Sequence, residues 1–135
     1  MDFKKLLQAE YDAWDTLNPA KVAPFYVQDS DSIFFDITPL KYNNWAEWEK
    51  GVQAVIADYK TMKIVVQDDV HGGRSGNWAW AACTLDFTGV GKDGHVDHMT
   101  LRESVIYEKR DNQWLIVHEH VSAPLPEPAP TPQKK

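Results

Sequence analysis

The sequence predicts an α+β domain in which three helices pack on a strongly curved antiparallel sheet, in the order α-α-β-α-β-β-β-β. Three observations predict it. Apolar residues recur at helical spacing early in the chain. Long β-rich stretches follow and run almost to the end. Short turns rich in Gly, Asn and Asp separate those stretches, which makes neighbouring strands antiparallel and segregates them from the helices.

Phe3, Leu6, Leu7, Ala13, Trp14 and Leu17 mark the first helix, with Leu7, Tyr11, Trp14 and Asn18 on one face. Asn18 suits an N-cap and Pro19 a first helical position, so a short second helix runs through Val22, Phe25 and Tyr26 and ends near Asp29-Ser30-Asp31. Residues 33–38, rich in β-branched and aromatic side chains, read as a strand that Pro39 ends. A third helix starts near Asn44, with Glu47 in the place of a capping-box partner and a stripe of Trp45, Trp48, Val52, Val55, Ile56 and Tyr59. Residues 62–70, 77–88, 96–109 and 113–122 read as strands. The turns between them fall at 71–76, 91–94 and 110–112. A sheet curved over a long helix leaves a cavity at one end. One domain is expected over residues 1–123, and the Pro-rich tail 124–135 is expected to be disordered or polyproline-like.

The net charge of -6, with basic residues scattered, argues against nucleic acid as a partner. Cys83 is the single cysteine, so no internal disulfide forms, and its apolar run Ala79-Trp80-Ala81-Ala82 points to packing. The N-terminus lacks a signal-peptide core, and no stretch is apolar enough to span a bilayer. The expectation is a cytoplasmic chain with no membrane partner. No phosphate loop, nucleophile elbow or CxxC motif is present, so no cofactor is implied. His95 with His98, and His118 with His120, lack a third ligand at fixed spacing, so no metal set is read.

Asp36 interrupts an apolar strand with a carboxylate; buried, it would have a raised pKa and act as a base, or else it caps the strand end. Arg102 shares a strand face with Ser104 and Ile106, and could hold a substrate carboxylate or an ion pair across the sheet. In a regular strand His118 and His120 face the same way, alongside Trp114, Ile116 and Ser122. Trp78 and Trp80 face together, as a platform for a flat ligand or as packing against a helix or a second subunit. Small apolar residues on the opposite face make both faces coverable, which favours a homodimer.

Three stretches carry a family resemblance: Tyr11-Asp12-Ala13-Trp14 running into Asn18-Pro19-Ala20-Lys21-Val22 and Phe25-Tyr26; Phe34 to Tyr42 with the Trp45 and Trp48 helix; and Leu101-Arg102-Glu103-Ser104-Val105 through Asn112 to Ser122. Together, over residues 3–123, they resemble the SnoaL-like and ketosteroid isomerase-like group of the nuclear transport factor two superfamily. The resemblance implies a cone-shaped α+β barrel with a pocket and a homodimer packed through the sheets. It does not imply one chemistry, since isomerases, cyclases, dehydratases, hydrolases and association domains share the fold. It puts Asp36 in the place of the isomerase base and Tyr11 in the place of an oxyanion donor. Ser104 falls where those isomerases keep a protonated Asp as second donor. Arg102 and His120 are expected to line the pocket.

The expected function is a small-molecule pocket, with cofactor-free isomerisation, dehydration or hydrolysis of a small apolar carbonyl compound. Asp36, Tyr11 and His120 would be catalytic, with Arg102, Ser104, His118, Trp14 and Trp80 around the substrate. The alternatives are a binding protein for a small hydrophobic or carboxylate-bearing ligand, and a dimerisation or association module.

Overall fold

The computed structural model describes residues 1–29 and 31–126. Residue 30 and residues 127–135, most of the Pro-rich tail, lie outside the described residues. Helix α1 (Phe3–Asp15) starts where the Asp2 carboxylate accepts the Lys5 amide at 3.0 Å. Asn18 caps α2 (Pro19–Val22) by accepting the Ala20 amide at 3.0 Å, and a 3-10 turn, Ala23–Phe25, follows. Helix α3 (Trp45–Ala57) is capped by Asn44, which accepts the Glu47 amide at 2.9 Å, while the Glu47 carboxylate takes the Asn43 amide at 2.7 Å. Among the described residues no helix is long and apolar enough to cross a membrane.

Five strands form one antiparallel sheet: β1 (Tyr59–Val66), β2 (His71–Ser75), β3 (Trp78–Gly91), β4 (Val96–Arg110) and β5 (Gln113–Ser122). The order is β1-β3-β4-β5, with β2 also paired to β3. β1 and β2 lie end to end along the same edge of β3, since Val66 pairs with Leu85 and His71 with Ala82. The sequence expectation of one strand over 62–70 and a turn over 71–76 is thereby corrected. The edge breaks where Thr84 turns its amide and hydroxyl to the Asp69 carboxylate, at 2.9 and 2.7 Å. The turn itself is only the tip of the β2–β3 hairpin, where Gly76 has φ +60°.

The expected strand over 33–38 forms no ladder either. Phe34 pairs with Tyr42, and Phe35 alone pairs with β5, its amide donating to Glu119 O and its carbonyl accepting the Val121 amide, both at 3.0 Å. Tyr26 and Val27 cover the same edge further along, with the Val27 amide on Ile116 O at 2.9 Å. The segment is thus a strap over the edge of β5, and one that hides unpaired backbone groups. The opposite edge is pinned by α1: Gln8 bonds Ile64 O and the Val66 amide, and Asp15 accepts the Ile64 amide.

The core lies between the helices and the inner face of the sheet. Ala79, Ala81, Cys83, Leu85 and Phe87 of β3 meet Leu101, Val105 and Tyr107 of β4 there. Gly51 of α3 rests on the ring of Tyr42, where an added Cβ would lie 2.3 Å from Tyr42 Cε1. Gly51→Ala ordinarily gains helix stability of about 1 kcal/mol. Here overpacking of about 1–3 kcal/mol should reverse the sign, so the urea midpoint of the variant is expected to fall.

Candidate functional site

Alternation along β4 decides which side chains reach the interior. Leu101, Glu103, Val105 and Tyr107 are buried, while Arg102, Ser104 and Ile106 are exposed on the outer face. On β5 a bulge opposite Ile106 and Tyr107 puts Val117 out of register. Ile116 and Glu119 therefore both point inward, three residues apart, and the histidines on either side of Glu119 do not.

Glu103 and Glu119 meet Glu10 of α1, and one carboxylate oxygen from each lies within 4.8 Å of the others. All three side chains are buried. Aromatic donors hold one oxygen of each. Tyr26 hydroxyl lies 2.9 Å from Glu10 Oε2 and 2.5 Å from Glu119 Oε1, Trp14 Nε1 donates to Glu10 Oε2 at 3.2 Å, and Tyr11 hydroxyl donates to Glu103 Oε2. The other oxygens, Glu10 Oε1, Glu103 Oε1 and Glu119 Oε2, are buried without a donor, as is the Tyr107 hydroxyl.

Protons resolve this arrangement. Burial first, then the field of Glu119, holds the Glu10 carboxyl well above the usual range; burial, Glu119 and Glu10 do the same to Glu103. No Lys, Arg or His contributes at either group. Protonated, Glu10 and Glu103 each donate to Glu119, so the orphaned oxygens gain partners.

Above this cluster opens a cavity of about 190 Å³. Tyr11, Trp14, Phe34, Tyr42, Trp48 and Phe87 supply much of its wall, and among the described residues Asp36 and Glu119 are its only charged ones. Trp48 stacks on Trp45 at 4.5 Å and meets Trp14 edge-on at 6.0 Å, which fixes the indole faces. Asp36 stands on the strap, half-buried, its Oδ1 accepting the Ile37 amide at 2.7 Å. Burial pushes its carboxyl up to about 6, the Ile37 amide opposes this, and the field of Glu119 adds to it.

The structure brings Asp36, Tyr11 and Trp14 together on this wall. It separates the other expected residues from it. Arg102 and Ser104 face outward because β4 alternates without a break, and Arg102 donates to Ala123 O at 3.3 Å. Trp80 is 52% exposed on the outer face of β3. The bulge turns His120 outward, and His118 bonds Ile33 O at 2.6 Å, edge-on to Phe35. The pocket's expected carboxylate anchor, Arg102, is therefore absent from it. Sequence reasoning missed Glu10, Glu103 and Glu119. The signal lay in the pattern: Glu10 continues the spacing of Phe3, Leu7 and Trp14, and Glu103 stands in the apolar phase Leu101, Val105, Tyr107.

A SnoaL-like domain model matches residues 4–126. No curated protein matches the chain. Among solved structures, a nuclear transport factor 2-like superfamily protein from Salmonella enterica serovar Typhimurium superposes with TM-score 0.82 at 20% identity, over 92% of this chain and 89% of that one. A provisionally assigned dehydratase of the NTF2-like family from Streptomyces avermitilis gives TM-score 0.80 at 14% identity, over 90% and 93%. A provisionally assigned calcium/calmodulin dependent protein kinase II association domain from Xanthomonas campestris gives 0.76 at 27%, over 90% and 84%.

The raised carboxyls fix the sign of the pH dependence. A group whose folded pKa exceeds its unfolded value stabilises the protein fully below the unfolded value. That contribution is lost as pH rises through the folded value. Glu10, Glu103 and Asp36 all act this way, so chemical denaturation should show lower stability at pH 8 than at pH 5. Glu103→Gln, which stays neutral, is expected to flatten this slope and gain about 1–3 kcal/mol at pH 8 over the parent protein.

Proposed function

We propose that this chain, which belongs to the SnoaL-like domain family, is an acid–base catalyst that removes a proton next to the carbonyl of a small, single-ring-sized compound. The observation that carries the reading is Asp36: a carboxylate with its pKa near 6, set on the wall of an aromatic cavity. Such a base is ionised at neutral pH yet basic enough to take a carbon-bound proton.

Tyr11 supplies the complementary acid. As arranged, Tyr11 donates to Glu103 Oε2. With Glu103 protonated and donating to Glu119, its Oε2 is a neutral and weaker acceptor, so the Tyr11 hydroxyl can turn towards the cavity that Tyr11 lines. Its hydrogen then meets the oxygen on which charge develops as Asp36 takes the proton. Isomerisation and dehydration both follow from such an enolate; a solved neighbour carries a provisional dehydratase assignment.

The experiment is exchange of the α-protons of acetophenone in D₂O, followed by proton NMR. Exchange is expected to accelerate with a rate that rises through pH 6, and Asp36→Asn to lower it by about 10²–10⁴-fold. Exchange no faster than buffer, or unchanged in Asp36→Asn, overturns catalysis and leaves a binding cavity.

The outer face of the sheet carries the assembly part of the reading. Trp78, Trp80 and Ile106 are 50%, 52% and 41% exposed, and Trp80 pairs directly with Ile106. A contiguous apolar patch of this kind fits a homodimer through the sheets, and a solved neighbour carries an association-domain assignment. Sedimentation equilibrium should give a dimer, and Trp80→Lys with Ile106→Lys should give a folded monomer. A monomeric parent protein removes the dimer.

A further inference from the structure

We propose that the cavity takes an organic cation, a single-ring-sized ligand with an ammonium nitrogen held between Asp36 and the faces of Trp14 and Trp48. The inference rests on reading this cavity as the working site, and it names the charge of what enters.

Size comes first. An engineered apolar cavity of about 150 Å³ holds benzene, and this one measures about 190 Å³. One ring and a short substituent fill it.

Charge comes next. The wall carries two carboxyls, Asp36 and Glu119, and among the described residues no Lys, Arg or His lines the cavity. Arg102, the base expected there, lies on the outer face of β4. An anion entering would meet two carboxyls and no cation. A neutral ligand fits but leaves the Asp36 charge without a counter-charge, which a cation supplies.

The wall chemistry also suits a cation. Indole and phenol faces attract ammonium groups through the ring quadrupole, most strongly where water is excluded. Trp14 and Trp48 present rings fixed by their mutual packing.

The test compares benzylammonium, benzyl alcohol and benzoate by isothermal titration into the full chain at pH 8 and constant ionic strength. The three probes share a ring and differ in charge. Benzylammonium is expected to bind about tenfold tighter than benzyl alcohol, and benzoate not to bind. Asp36→Asn is expected to remove the preference for the cation, with its fold checked by circular dichroism. A second variant, Trp48→Leu, should weaken the cation more than the alcohol. Benzoate binding as tightly as benzylammonium, or an undiminished cation preference in Asp36→Asn, overturns the proposal. So does saturation by calcium chloride with no response to benzylammonium, which would give the carboxylates to a metal ion. Binding is read without turnover, so a cavity that binds cations without exchanging acetophenone and one that exchanges without preferring cations fail different experiments.

Discussion

Glu119 is the point on which this interior turns. It lies at the meeting of Glu10 and Glu103, in a core where no basic side chain among the described residues answers them. Ionising all three there would cost far more than their hydrogen bonds return, since each isolated buried charge costs several kcal/mol even after relaxation. Two protons convert the cluster into a pair of acids donating to one carboxylate. The phenols of Tyr11 and Tyr26 and the indole of Trp14 then complete its hydrogen bonding. These bonds join α1 to β4 and β5 and tie the chain after the 3-10 turn to both. A satisfied polar network of this kind fixes one arrangement of the elements more sharply than apolar packing does.

The same residue positions the base. Phe35, next to Asp36, hangs on β5 by the carbonyl of Glu119 and the amide of Val121. The backbone of Glu119 thus holds the strap, while its side chain bears on the Asp36 carboxyl. A strand in a regular ladder would have spent both backbone directions on pairing. The strap spends only those of Phe34 and Phe35 and leaves Asp36 at a place where the chain turns away. That is why a segment with every compositional mark of a strand does something else.

Much of the fold was legible because periodicity reports burial. The α1 stripe, the Asn18-Pro19 and Asn44 caps and the long alternations of β3 and β4 are all local signals, and they appear where the sequence places them. The break between β1 and β2 was not legible, because it depends on Asp69 reaching Thr84 across the hairpin. In the site, pattern and resemblance reach Asp36, Tyr11 and Trp14. Register displaces the other expected residues. Counting two by two along β5 carries His118 and His120 inward from Ile116, and the bulge at Val117 reverses them. On β4 the resemblance favours Arg102 and Ser104, although the apolar phase of that strand runs through Glu103.

That single step of register decides the chemistry. With Arg102 inward, the cavity would hold a fixed positive charge and Glu103 would be solvated on the outer face. A guanidinium stays charged in any protein environment, so the pocket would select anions at every pH, and its field would keep Asp36 ionised but weakly basic. With Glu103 inward, the interior instead gains a group that can be charged or neutral. Neutrality is what the burial favours, and a neutral acid is a hydrogen-bond donor. The Asp36 carboxyl then rises rather than falls, because burial raises it and no cation opposes that rise. The lack of a fixed positive charge beside Asp36 therefore follows from one choice, the face of β4 to which Arg102 belongs.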